Sequence, residues 1–84
     1  MMSEEEFDWM DELYFVQPYP YLKKELGWED EKLLATLQLL IDKEWIKCFF
    51  NVDEEVNDNF NIEKEGKEYY YLATKVGLME HNSS

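Results

Sequence analysis

A leucine-rich segment between residues 29 and 45 places the strongest constraint on how this chain can fold. Its apolar side chains recur every three or four residues: Leu33, Leu34, Leu37, Leu40, Ile41 and Trp45. That spacing puts them on one stripe of an α-helix. Glu29, Asp30 and Glu31 precede the stripe, and the dipole of a helix favours acidic residues at its N-terminus. The segment therefore predicts a long amphipathic helix with one face buried in a core.

Two shorter helices are predicted upstream of this segment. Ser3 and Glu6 have the spacing of a capping box, which predicts a first helix that starts near Glu4. Pro20 suits the first turn of a second helix, because its missing N–H is not needed there. Gly27 lies where that helix ends and can adopt the left-handed conformation that a helix end requires.

Downstream, the apolar period changes from helical to alternating. Residues 45–52 are predicted as a strand, with Ile46, Cys48, Phe50 and Val52 on one face. Phe60 and Ile62 are predicted to form part of a short strand. A tight turn at Glu65-Gly66 would then lead into a tyrosine-rich strand at residues 67–73.

The length of 84 residues predicts one domain over residues 1–84, with its core at about 4–78 and a frayed tail at 79–84. Thr74 is expected to cap a last short helix before the chain frays. The chain has 20 acidic residues, 8 lysines and no arginine, which gives a net charge of −12. A chain with this net negative charge repels nucleic acid and anionic lipid, and it favours basic partners.

Two segments, Leu22–Lys47 and Tyr69–Leu78, resemble the winged helix-turn-helix superfamily. The first has the family's small helix, glycine, polar start and leucine-rich helix, and the second is similar to its returning strand. The resemblance to a small acidic member implies an α+β fold with a three-helix helix-turn-helix core and a two- or three-stranded antiparallel wing sheet. The chain departs from the family pattern in a long segment between the wing strands, residues 53–68. It also departs in the two residues that separate Thr74 from Gly77.

The resemblance implies one function, a transcriptional regulator that places helix 30–44 in the DNA major groove. Carried onto this sequence, Lys32, Thr36 and Lys43 would contact the DNA. The charge of the wing argues against this function, because residues 53–68 hold seven acids and two lysines. Nucleic-acid binding is therefore disfavoured electrostatically and remains the alternative prediction.

The leading prediction is a non-enzymatic regulatory or adaptor domain that acts through protein contacts. Its partner could be a second copy of the same chain, which would give a homodimer. It rests on aromatic residues that are predicted to form an interface: Phe49, Phe60, Tyr69, Tyr70 and Tyr71. Consecutive side chains of a strand point to opposite sides of the sheet. At least one residue of Phe49-Phe50 and one of Tyr69-Tyr70-Tyr71 should therefore face away from the helices, and exposed aromatic patches often mark interfaces. The opposing interpretation is that the first helix or the long wing segment covers these rings.

Catalysis, cofactors and metals find little support in the sequence. His81 is the single histidine and is predicted to be exposed near the tail, and Cys48 to be a buried apolar residue. Residues 53–64 resemble a calcium loop only in part, because Asp58 replaces its glycine and Lys64 its glutamate. We therefore expect no catalytic residue, cofactor, metal site or small-molecule substrate. The lone cysteine and the lack of a membrane-spanning apolar run predict a cytoplasmic protein without membrane contact.

Overall fold

The computed structural model of this chain describes residues 2–56 and 61–83. Within them the chain forms a mixed α+β fold of five α-helices and a three-stranded antiparallel sheet. The elements, in chain order, are α1 (Glu4–Asp11), β1 (Gln17–Pro18), α2 (Tyr19–Leu26), α3 (Asp30–Asp42), β2 (Ile46–Phe49), α4 (Ile62–Glu65), a 3₁₀ turn (Gly66–Glu68), β3 (Tyr70–Ala73) and α5 (Lys75–Ser83).

The sheet has the order β1–β3–β2, so β3 is its central strand. Along β2, Ile46 lies opposite Ala73 and Phe49 lies opposite Tyr70. On the other edge, β1 pairs Gln17–Pro18 with the first half of β3. A proline is tolerated in β1 because an edge strand can leave one side of its backbone unpaired. The predicted antiparallel sheet is thus confirmed with three strands.

The predicted helix boundaries are confirmed where a local cap defines them. The Ser3 hydroxyl accepts from the Glu6 N–H at 3.2 Å, and the Glu6 carboxylate accepts from the Ser3 N–H at 3.0 Å. Gly27 ends α2 with a φ of 70°, the left-handed conformation. The Thr74 hydroxyl accepts from the Gly77 N–H at 3.0 Å and so caps α5.

The core lies between the sheet and the inner sides of the helices. Its largest fully buried side chains are Trp9, Met10, Leu13, Leu22, Leu33, Leu37, Leu40, Ile62 and Tyr71. The predicted stripe of α3 supplies three of these leucines, while Leu34, Ile41 and Trp45 pack at its border. Burying one such side chain stabilises the fold by about 1.5–3 kcal/mol. The leucine stripe of α3 is therefore a structural feature that holds the long helix against the core.

Asp30, at the start of α3, joins three elements through polar contacts. The Tyr19 hydroxyl of α2 donates to its carboxylate at 2.7 Å. Lys23 lies 3.0 Å and Lys67 lies 3.1 Å from the same carboxylate. These contacts, the hydrogen bond from Tyr19 first, lower the pKa of Asp30 below its ordinary value. The acidic start predicted for α3 thus has a structural role besides the helix dipole.

Helix α5 packs closely against the rest of the chain at Gly77. A Cβ atom at this position would overlap the carbonyl oxygen of Trp45 and lie 2.6 Å from the Met10 methyl group. The absence of a side chain at Gly77 therefore lets α5 approach the end of α3. The helix runs to Ser83 and includes residues 79–83 of the tail that the sequence predicts to fray.

The segment between β2 and β3 differs from its prediction. Ile62 begins α4 and is buried, so its assignment to a strand is wrong. The Asn61 side chain accepts from the Lys64 N–H at 3.2 Å and caps this helix, a signal that outweighs a short alternating pattern. Gly66 continues the helical turn and is not the centre of a hairpin. Phe60, which is predicted in the same short strand as Ile62, lies outside the described residues.

Strand β2 is shorter than the predicted strand at residues 45–52. It ends at Phe49, and the chain then turns back so that the Phe50 N–H donates to the Glu54 carbonyl at 2.7 Å. This reversal ends the alternation of faces. Phe50 and Val52, predicted on the same face as Ile46 and Cys48, are exposed as a result, whereas Ile46 and Cys48 are buried.

Candidate functional site

Most of the aromatic residues predicted as an interface lie in the core. Tyr71 is fully buried, and its hydroxyl donates to a backbone carbonyl 2.5 Å away. Tyr69 and Phe49 are also buried, whereas Tyr70 is half-buried. Phe60 lies outside the described residues. The expected exposure is therefore corrected at three positions, which a partner cannot reach in this fold.

These rings are buried because other elements cover the central strand. Tyr71 meets the ring of Trp9 from α1 edge-on, with centroids 6.5 Å apart. The Tyr69 hydroxyl donates to Glu65 of α4 at 3.2 Å. These contacts agree with the opposing interpretation, in which the first helix or the wing segment covers the rings. In the Phe49-Phe50 pair one ring does face outward, and it is Phe50, which is 52% exposed.

The residues implied as DNA contacts lie together on the outward side of α3. They line a shallow groove, here called the α3 groove, whose other wall is the N-terminal end of α1. Its lining residues are Ser3, Glu5, Glu6, Lys32, Thr36, Leu39 and Lys43. The structure thus brings the three predicted residues to one surface and places two acidic residues beside them.

Lys43 forms an ion pair inside this groove. Its Nζ atom lies 2.5 Å from the carboxylate of Glu6, the buried residue of the α1 capping box. Burial would raise the pKa of Glu6, but hydrogen bonds from Lys43 and Ser3 outweigh it and lower this pKa below its ordinary value. Glu6 is therefore charged at neutral pH, and it neutralises Lys43 within the fold.

The other positions of the α3 groove are also poorly suited to phosphate. The Lys32 ammonium lies over the Trp28 ring, 4.4 Å from its centroid, in a cation–π contact. Leu39 is 54% exposed between the two lysines. An exposed apolar side chain beside a lysine that Glu6 neutralises suits a protein surface better than a DNA backbone.

A second cluster, which the sequence did not predict, joins α1 to α5. His81 is only 7% exposed, so its prediction as an exposed tail residue is wrong. Its ring stacks on Phe7 with centroids 4.2 Å apart, and its Nδ1 atom lies 2.9 Å from the Tyr14 hydroxyl. Its Nε2 atom is buried without a hydrogen bond and lies 3.5 Å from the carboxylate of Asp11. One sequence signal could have predicted the burial of His81: it lies four residues after Gly77, which places both residues on one face of α5.

The remaining reactive groups have structural surroundings. Burial, followed by the nearby charge of Glu55, raises the pKa of the Cys48 thiol to about 12, so the thiol stays protonated at neutral pH. Residues 2–56 and 61–83 contain no group of three or more His, Cys, Asp or Glu residues that could hold a metal ion. Over the same residues, no helix has both the length and the apolar character that crossing a membrane requires.

Neither a protein-family model, a curated protein nor a solved structure matches this chain. The candidate functional sites are therefore the two surfaces described above, the α3 groove and the cluster between α1 and α5.

Proposed function

We propose that this chain is a winged-helix domain that acts through protein contacts, as a non-enzymatic regulatory or adaptor protein. The order of its elements supports the winged-helix assignment. A short strand separates the first two helices, the long helix follows a glycine turn, and two further strands complete the sheet. In this assignment α3 corresponds to the helix that enters the major groove in DNA-binding members.

The ion pair between Lys43 and Glu6 is the main observation that favours a protein partner over DNA. A lysine that is already neutralised inside the fold releases few counterions when DNA binds, so it adds little to affinity. Glu5 in the same groove would also lie near a phosphate backbone. The groove is therefore a poor DNA surface, although its helix has the position that DNA binding requires.

The exposed Leu39 supports a protein contact in place of DNA. Apolar side chains in the centre of an interface, with polar residues at its rim, are typical of protein–protein contacts. Leu39 has this arrangement, with Thr36 and Lys32 beside it. A second copy of the chain is one partner that such a surface could accept, and this would give a two-fold dimer.

DNA binding remains the second candidate, because the structure brings Lys32, Thr36 and Lys43 to one groove. Two parallel selections at low ionic strength separate the candidates: one from random DNA duplexes and one from displayed random peptides. We expect enriched peptides and no enriched DNA sequence. A defined DNA site whose binding is lost in Lys32→Glu would overturn the proposal.

Self-association is tested with Leu39→Glu and its matched control Val52→Glu, since both side chains are exposed. Sedimentation of the wild-type chain should show a dimer that Leu39→Glu dissociates and Val52→Glu leaves intact. A wild-type monomer at all accessible concentrations would exclude the homodimer and leave a different protein as the partner.

A further inference from the structure

The outward side of α1 and its contact with α5 form a surface that combines acids with aromatic rings. We call it the acidic–aromatic face and define it by Glu4, Phe7, Asp8, Asp11 and Tyr14. The first four residues are helix neighbours at spacings of three and four. His81 connects Tyr14 to them, because it contacts both Tyr14 and Phe7. The five side chains therefore belong to one continuous surface.

The acids at the end of α1 are not explained by helix stability. In the first turn, Glu4 is favoured by the positive end of the helix dipole. Asp11 lies in the last turn, where the dipole favours cations and α1 has none. Asp8 lies three residues from Asp11 and four from Glu4, spacings at which like charges destabilise a helix. These acids cost the free fold some stability, and a positively charged partner would offset that cost.

The acidic–aromatic face also lacks cations of its own. Within residues 2–56 and 61–83, neither Glu4 nor Asp8 has an ion-pair partner. Among the described residues, the one ion-pair contact of Asp11 is with His81, whose Nε2 atom is buried without a hydrogen bond and lies 3.5 Å from that carboxylate. This arrangement contrasts with Glu6 of the same helix, which has Lys43. The negative charge of the face is thus available to a partner.

The aromatic rings give the face a second way to recognise basic side chains. Phe7 and Tyr14 are both partly exposed beside the carboxylates, at 36% and 45%. The guanidinium group of arginine and the ammonium group of lysine bind favourably over aromatic rings. Carboxylates and exposed rings together favour Lys and Arg over neutral or acidic side chains.

We infer that the acidic–aromatic face binds a Lys/Arg-rich segment of a protein partner. The inference rests on the proposed function, since it names the partner chemistry of a protein-binding domain. Charge complementarity selects this occupant, because the carboxylates of Glu4, Asp8 and Asp11 attract lysine and arginine side chains. The α3 groove is a separate surface, and substitutions there distinguish the two sites.

The test begins with the peptides that the full-length chain enriches from a displayed random library. We expect them to be rich in lysine and arginine. In fluorescence anisotropy, Asp8→Lys should weaken binding of an enriched peptide about 5- to 10-fold, because it removes one attraction and adds a repulsion. The matched control Glu63→Lys reverses an exposed charge on α4 and should change affinity less than about 2-fold. Phe7→Leu, which keeps an apolar side chain but removes the ring, should weaken binding about 3-fold.

The outcomes separate this inference from the proposed function. Peptides without excess positive charge, or equal losses in Asp8→Lys and Glu63→Lys, would overturn the inference. Peptides whose binding is abolished by Leu39→Glu but not by Asp8→Lys would also overturn it, while leaving the proposed function intact. Failure to enrich any peptide, together with an enriched DNA site, would overturn both. Circular dichroism of each variant confirms that a loss of binding is not a loss of fold.

Discussion

On the outward side of α3, both groove lysines have a partner inside the fold: Lys43 pairs with Glu6, and Lys32 lies over Trp28. On the outward side of α1, by contrast, Glu4 and Asp8 have no ion-pair partner among the described residues. The charge of Lys43 is therefore compensated by Glu6 and the Lys32 ammonium is held over a neutral ring, whereas the charges of Glu4 and Asp8 have no counterion in the described residues. Compensated charge holds a fold together, and uncompensated charge is available to a partner. Substitutions that alter either arrangement test this comparison.

The largest effect on stability is expected from Gly77→Ala, which acts on the packing beneath the acidic–aromatic face. The new methyl group would overlap the Trp45 carbonyl, and backbone cannot move aside as a side chain can. We expect the free energy of unfolding, measured in urea, to fall by about 2–3 kcal/mol. Val76→Ala on the exposed side of α5 is the control and should change it by less than about 0.5 kcal/mol. Wild-type stability in Gly77→Ala would show that α5 does not need this close approach.

The next effect is expected from Glu6→Gln, which removes the charge that compensates Lys43. The unfolding free energy at neutral pH should fall by about 1.5–2 kcal/mol, the lower part of the range for a hydrogen bond to a charged group. The control is Glu5→Gln, because Glu5 is the exposed neighbour of Glu6.

The pH dependence of Glu6→Gln gives a second check. The pKa of Glu6 is lowered in the fold, so its stabilisation is present above the unfolded pKa of about 4.3 and is lost as the pH falls. Wild type and variant should therefore converge in acid. A difference that persists unchanged at low pH would contradict the role of the Glu6 charge.

A smaller effect is expected from Asp30→Asn, because its carboxylate is more exposed than that of Glu6. The folded pKa of Asp30 is lowered by Tyr19 first, and then by Lys23 and Lys67. The variant should be less stable than wild type at neutral pH, and the gap should close as the pH falls through about 3.9 and below. Chemical denaturation across this pH range measures the gap, with Glu31→Gln as control. A gap that widens in acid would contradict the assignment.

The smallest effect on stability is expected from Asp8→Asn. Because the change relieves repulsion along α1, the unfolding free energy should stay constant or rise by about 0.2–0.5 kcal/mol. The opposite signs of Asp8→Asn and Glu6→Gln, measured in the same urea titrations, would sharpen the contrast between the two surfaces. If Asp8→Asn instead lost as much stability as Glu6→Gln, Asp8 would have a structural partner and the comparison would fail.

The features that the sequence predicted correctly depend on residues close together in the chain. The Ser3–Glu6 capping box, the left-handed Gly27 and the buried leucines of α3 follow from spacings of a few residues. Local backbone geometry decides such features, so no knowledge of distant contacts is needed. The α+β class could be predicted for the same reason.

The features that the sequence did not predict depend on distant contacts. His81 is buried by Phe7 and Tyr14, which lie at the other end of the chain. Tyr71 is covered by Trp9 of α1. The alternation of side chains along β3 shows which residues share a face of the sheet, but it does not show which face another element covers. Ile62 shows a different limit, because a short alternating pattern cannot be distinguished from the start of a capped helix. The candidate surfaces were thus less predictable than the helices that carry them.

The proposed function requires that the chain binds proteins and that α3 does not bind DNA. Parallel selection from random DNA duplexes and from displayed random peptides, at an ionic strength of about 50 mM where DNA binding is most favoured, tests it most directly. We expect no enriched DNA sequence, and we expect enriched peptides that are rich in lysine and arginine. A defined DNA site that the wild-type chain binds, and that Lys32→Glu no longer binds, would contradict it.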